Sequence, residues 1–167
     1  MIRSRFDELG EYLKGKLAAL RLQADNIDFC VEKIRPEEGG HQDDENGTYL
    51  CNLAYTGVIY IERLQYARLP MLLLYIRSWL DEFDDSRGAF KLPSPQFDLI
   101  KLDSLYYDVQ VSIEFIDPVY IAEADGTDAA DDVITWNGKS YAAKEFIYNV
   151  ADSGDVAGAP TETEAVE

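Results

Sequence analysis

"LPMLLLYIRSWLDEFDD", residues 69–85, decides what kind of fold this chain can adopt. Leu69, the run from Met71 to Ile76, and Leu80 make it densely apolar, and then four acids fall within the five positions 81–85. A membrane span, a core helix and the scaffold of an acidic metal site are the three readings. A bilayer helix needs about 20 predominantly apolar residues. Here Arg77 arrives after only eight positions, with Asp81 and Glu82 close behind. An arginine at mid-membrane would cost roughly 2.5–3.5 kcal/mol on insertion scales, so no membrane segment is expected.

As a helix the stretch is coherent. Pro70 suits a first turn, where its missing donor would have no intrahelical partner. Leu69, Leu72, Leu73, Ile76, Leu80 and Phe83 recur at steps of three and four and form a stripe that can pack on a sheet. Met71, Leu74, Tyr75 and Trp79 widen the apolar surface beyond what one sheet face covers. That flank is either packed deeply within its own domain or meets another subunit. Acids at a helix C-terminus oppose the helix dipole, so Asp81, Glu82, Asp84 and Asp85 call for a reason outside the helix, and a basic partner would supply one.

Upstream, Ile2, Phe6, Leu9, Leu13, Leu17 and Leu20 predict an amphipathic helix over about residues 3–22, slightly weakened by Gly10 and Gly15. "NIDFCVEKI" then alternates as a half-buried strand should. "TYLCNLAYTGVIYIERL" is rich in β-formers and apolar on both faces, the pattern of a central strand, with Gly57 marking a bulge or bend. Between them, Pro36, Gly39, Gly40 and the Asn46-Gly47 pair predict a flexible connection over 36–47. Long loops of this kind are often functional or mobile, which makes His41, Asp43, Asp44 and Glu45 candidates for contact with a partner.

Downstream, Pro93 and Pro95 exclude a helix from "GAFKLPSPQFDLIKLDSL". "YYDVQVSIEFIDPVYIAE" is the clearest strand in the chain, with Pro118 interrupting its ladder. "QFDLIKL" is its expected partner through a short Asp103-Ser104 connection. Asn137 and Gly138 fit the positive φ angles of a type I′ hairpin within 132–150, and residues 151–167 read as a flexible acidic tail. The whole is an α+β fold: one domain over 1–150, a mostly antiparallel sheet covered by two main helices, and an added C-terminal hairpin.

The 167 residues carry 32 acids against 15 Lys and Arg, a formal charge of −17. Segments 37–45, 81–85, 123–132 and 151–167 hold 5, 4, 5 and 5 of the acids and no Lys or Arg, so the remainder is nearly neutral. Such a distribution repels nucleic acid and would not clamp phosphates. Cys30 and Cys51 lack zinc or redox spacing and are expected to be buried and reduced. No run of signal-peptide length follows the basic N-terminus, and a cytoplasmic location is expected. With His41 as its one histidine, and neither a GxSxG elbow nor a phosphate-cradling loop, the chain offers no usual hydrolase or NTPase constellation. Neither "DEFDD" nor "EADGTDAADD" follows an EF-hand pattern, so no metal, cofactor or catalytic residue is assigned.

Three features together resemble the tail-completion, or tail-terminator, proteins of tailed bacteriophages, of the protein R type found in contractile-tailed phages. They are the helix with Pro70 and then "WLDEF" at 79–83, "FDLIKLDSLYYDVQVSIEFIDPVYI" at 97–121, and an N-terminal helix before two long strands, which span about residues 1–122. The resemblance implies a non-enzymatic virion subunit, assembled in the host cytoplasm into a ring of six copies on the head-proximal end of the tail tube. There it would end tube polymerisation and contact the tube, the neck proteins and, where one exists, the sheath. Genomic DNA would pass without specific binding. The alternatives are a head-to-tail adaptor of the same neck and, from other classes, a small acidic cation-binding or hydrolytic protein or a DNA mimic. Met71, Leu74, Tyr75 and Trp79, with the four acids of 81–85, are the candidate subunit contacts.

Overall fold

A computed structural model describes residues 4–44 and 47–144; the expected tail and the end of the hairpin region, 145–167, lie outside them. Helix α1 spans Arg5–Lys14 and a single turn, α2, spans Leu17–Leu20. Strands β1 (Ile27–Asp44) and β2 (Gly47–Gln65) form a long antiparallel pair. Helix α3 (Leu69–Phe83) and the short α4 (Ser86–Phe90) follow. Then come β3 (Gln96–Lys101), β4 (Tyr106–Glu123), β5 (Val133–Trp136) and β6 (Lys139–Lys144). All strand pairs are antiparallel, in the order β1-β2-β4-β6-β5, with β3 beside β4. The α+β class with two main helices and a C-terminal hairpin is thus the observed fold.

Each element follows from local chemistry. Ser4 caps α1 by accepting from the Asp7 amide, and the Asp7 carboxylate accepts from the Ser4 amide in return. This reciprocal box satisfies two amides that the helix start leaves open. The predicted single helix over 3–22 is instead broken at Gly15, whose amide is shared between the Glu11 and Tyr12 carbonyls before Lys16 turns back to Leu13. Leu20 and Leu22 still reach the core. Asn137 and Gly138 take φ values of 50° and 79°, the type I′ hairpin that their identities require.

The core lies between the helices and one face of the sheet. Register places Phe29, Ile59, Val111 and Phe97 in one row across β1, β2, β4 and β3. Phe6, Leu9 and Leu13 of α1 and Leu72, Ile76 and Leu80 of α3 pack against that face. Gly57 sits in unbroken register with Val31 and Ile113, so it marks no bulge. A Cβ there would lie 2.4 Å from the Phe6 ring, so glycine is what admits the close approach of α1.

Four sequence expectations change. The flexible connection over 36–47 is strand for almost its whole length, held by β2, which is itself paired with β4 as far as Thr48. Its pattern was obscured by two register shifts in β1, between Glu32 and Arg35 and between Glu38 and Gln42. Pro36 is tolerated because β1 is an edge strand. Pro118 does not end β4 either; it pairs with Asn52 in the stretch between β3 and β6 where β4 has β2 as its partner. Ser86–Phe90 is helical before the prolines begin. Both cysteines are free, as expected, but half-buried rather than buried.

Candidate assembly surfaces

Helix α3 settles how its wide apolar surface is used. Trp79 is 5 % exposed, packed against Phe83 with ring centroids 5.5 Å apart. Tyr75 meets the Tyr12 edge of α1 at 6.2 Å, and Lys16 lies over both rings. Met71 is half-buried against the same core. Leu74, 60 % exposed, and Leu73, 40 % exposed, are what remains free. Trp79 therefore belongs to the interior of its own subunit, and Leu73, placed by its spacing on the core stripe, is on the surface. The buried stripe of α3 is Leu72, Ile76, Trp79 and Leu80, turned toward Trp79 relative to the expected one.

The acids after α3 separate in the same way. Asp81 is exposed and pairs with Arg77 one turn earlier, 2.9 Å away. Glu82 is exposed on the helix surface. The Asp84 carboxylate is fully buried between Arg5 at 3.7 Å and Arg87 at 3.3 Å, and Asp85, itself exposed, reaches Arg5 at 3.3 Å. For Asp84 and Asp85 the basic partner is thus an arginine of the same subunit, and the Asp84 carboxylate lies inside it.

Arg5 is the centre of that network. Its guanidinium also donates to Ser86 and the Ile116 carbonyl, each at 2.9 Å, and pairs with Asp117 at 3.3 Å. Asp117 accepts from the Tyr55 hydroxyl at 2.6 Å and from the Arg5 amide at 3.2 Å. Burial pushes the Asp117 carboxyl up to about 6, against the opposing pull of Tyr55 and Arg5. The Tyr55 hydroxyl is pushed up strongly, first by burial and then by Asp117. Breaking a buried ion pair by removing one partner costs about 3–5 kcal/mol. The cluster therefore fastens the start of α1, the end of α3 and the middle of β4 to one another. Sequence spacing had a signal for it: Arg5 falls four residues before Leu9 on the apolar face of α1, and Asp117 follows the apolar Phe115-Ile116 pair.

His41, Asp43 and Asp44 lie on β1, not in a mobile loop, while Glu45 is outside the described residues. Asp43 is exposed and accepts from the Thr48 hydroxyl across the pair. Among the described residues no group of three His, Cys, Asp or Glu side chains could hold a metal ion. Among the described residues no helix is long and apolar enough to cross a membrane.

The face of the sheet away from the helices carries acids; its centre is closed, with Thr56 and Val58 buried, and it opens toward the start of β1. One row across it reads Asp28, Tyr60, Gln110 and Asp98, and another Glu32, Thr56 and Glu114. At the end where β1 begins lies a cleft of about 440 Å³, rimmed by Asp25, Asp28, Glu62, Asp98 and Asp108, with Tyr60 and Ile100 in its wall. No Lys or Arg lines it. Arg63, in the neighbouring bulge, lies over the Tyr106 ring at 4.9 Å, and its amide donates to Asp108. The outer strands of this four-stranded block, β1 and β3, expose large apolar side chains, most of all Ile34 at 58 % and Ile100 at 66 %.

Open sheet edges, a clefted acidic face and an interior whose charged groups tie the elements together describe a structural subunit that acts through its surfaces. The family match gives that class its setting: this is a structural protein of a phage tail. A family model described as P2 phage tail completion protein R (GpR) matches residues 4–144, and the chain belongs to that family. It is also similar to an "uncharacterized 19.2 kDa protein in rep-hol intergenic region" of Haemophilus phage HP1 (strain HP1c1), 31 % identical over 86 residues. That alignment covers 50 % of this chain and 52 % of the relative, so the chain spans about half the length of that curated protein. No solved structure matches the chain significantly.

Proposed function

We propose that the protein forms a ring, six copies in the expected arrangement, on the head-proximal end of the phage tail tube. It ends tube polymerisation there and joins the tail to the neck. The match to a tail completion family over residues 4–144 carries this reading. Its partners are further copies of itself, the tube protein, the neck proteins and, in a contractile tail, the sheath protein. Two physical features support it. A ring needs a heterologous contact that closes by rotation, and the subunit has exposed apolar residues on both outer strands of its main block. An acidic face beside a channel lets DNA pass without sticking.

Tube assembly in vitro tests it. Purified tube protein polymerising with a tenth of a molar equivalent of this protein should give shorter tubes in electron micrographs, each with density at one end. Tubes of unchanged length and bare ends would overturn the cap. Binding to isolated heads but not to tubes would instead identify an adaptor on the neck side.

A further inference from the structure

We propose that neighbouring copies join by a knob and a cleft: Lys33, Ile34 and Arg35 of one copy seat in the acid-rimmed cleft beside Ile100 of the next. This deepens the ring reading and rests on it.

The knob comes from a bulge. Between the pairs Glu32–Thr56 and Arg35–Ala54, β1 has two residues, Lys33 and Ile34, where β2 has Tyr55 alone. Lys33 takes a left-handed φ of 54°, which throws Ile34 out of the sheet, 58 % exposed. Lys33 and Arg35 flank it, Arg35 also meeting Glu37 of its own strand in a surface pair at 3.4 Å, in a chain with only 15 bases against 32 acids. A bulge with basic residues on an edge strand also guards against strand addition. The contact at this point is therefore one of side chains, not a continued ladder.

The cleft matches the knob in both respects that matter. Five carboxylates rim it with no Lys or Arg among its lining residues, and Tyr60 and Ile100 give it an apolar wall. An exposed isoleucine between two cations fits such a site, whereas a nucleic acid or any anionic ligand would be repelled. A subunit cannot fill its own cleft, because six residues of extended strand, about 20 Å, separate Asp28 in the cleft from Ile34. The two surfaces differ, so the contact is head-to-tail, the type that closes into rings.

Light scattering on the full chain, alone and with tube protein, reads the outcome. Ile34→Asp and Ile100→Asp alter exposed side chains and should leave the melting temperature within about 2 °C of wild type. Each should lower the assembled fraction at least tenfold. Mixed in equal amounts, the two variants should form dimers and nothing larger, since one intact knob meets one intact cleft. Lys33→Glu with Arg35→Glu should abolish assembly, and adding Asp28→Lys with Asp98→Lys in the same chain should restore it. Variants that assemble like wild type would overturn this contact, leave the ring reading standing, and identify the bulge as an edge guard. A mixture that stays monomeric would overturn it as well. A wild-type chain that remains monomeric even with tube protein would overturn the ring reading and this contact with it.

Discussion

Asp117 is the residue at which chemistry and fold are most tightly coupled. Its carboxyl is buried and titrates at about 6 in the folded chain, above the ordinary aspartate value of about 3.9 in an unfolded one. The native state therefore holds an extra proton between about pH 4 and pH 6. The stability this group contributes is complete below pH 4 and lost as pH rises through 6. Asp117→Asn is neutral throughout and lacks that dependence. Denaturant melts should show wild-type stability, relative to the variant, falling by on the order of 3 kcal/mol between pH 4 and pH 7. Parallel curves would mean that Asp117 titrates normally. Gly57 gives a second test at this scale. Gly57→Val drives a side chain into the Phe6 ring, whose nearest atom already lies 2.4 Å from where a Cβ would be. Overpacking of this kind costs typically 1–3 kcal/mol, and Phe6→Leu in the same chain should recover part of it. The sequence carried a signal for both residues but did not decide the role of either. Gly57 carried a signal, but a glycine within a strand marks a bulge and a close approach equally well, and only the partner helix distinguishes them.

Helix α3 was legible as an element and misleading in its orientation. Its start at Pro70, its length and its main stripe all follow from spacing. The rotation that buries Trp79 and exposes Leu73 depends on where α1 lies, and periodicity within one helix cannot encode that. Three substitutions measure the corrected orientation by thermal or chemical melts. Leu72→Ala should cost about 2–5 kcal/mol and Trp79→Ala about 3–5 kcal/mol, while Leu74→Ala should stay within about 0.5 kcal/mol. A large loss at Leu74 in the isolated chain would mean that the helix sits differently on the sheet. The first strand pair failed in the opposite direction. Glycines, Pro36 and clustered acids in 36–47 have turn chemistry, yet β2 is bound to β4 through most of its length and offers a ready template for β1. Tertiary pairing overrode local propensity there, and the bulges that accommodate it also produce the Ile34 knob.

The charge of the whole molecule has two addresses. Inside, the acids Asp84 and Asp117 are matched to Arg5 and Arg87 and serve the fold. Outside, Asp28, Glu32, Glu62 and Asp98 stand exposed on the acidic sheet face, and a loss of all four would leave the core packing unchanged. Composition gave the total of −17 but not this division, because burial is decided by which acids the topology brings to an arginine. On the free subunit, where no neighbour fills the cleft, these acids repel DNA, and the wild-type chain should not shift duplex DNA in a gel even at 50 mM salt. Replacing those four acids by lysine gives a cationic face that can neutralise up to four phosphates, so DNA binding should appear and weaken steeply with salt. A plot of log affinity against log salt concentration should then have a slope of about −3 to −4. Binding by the wild-type chain at 50 mM salt would contradict a passive acidic face. A lysine variant that folds normally and still ignores DNA would show that this face is not shaped to lie along a duplex.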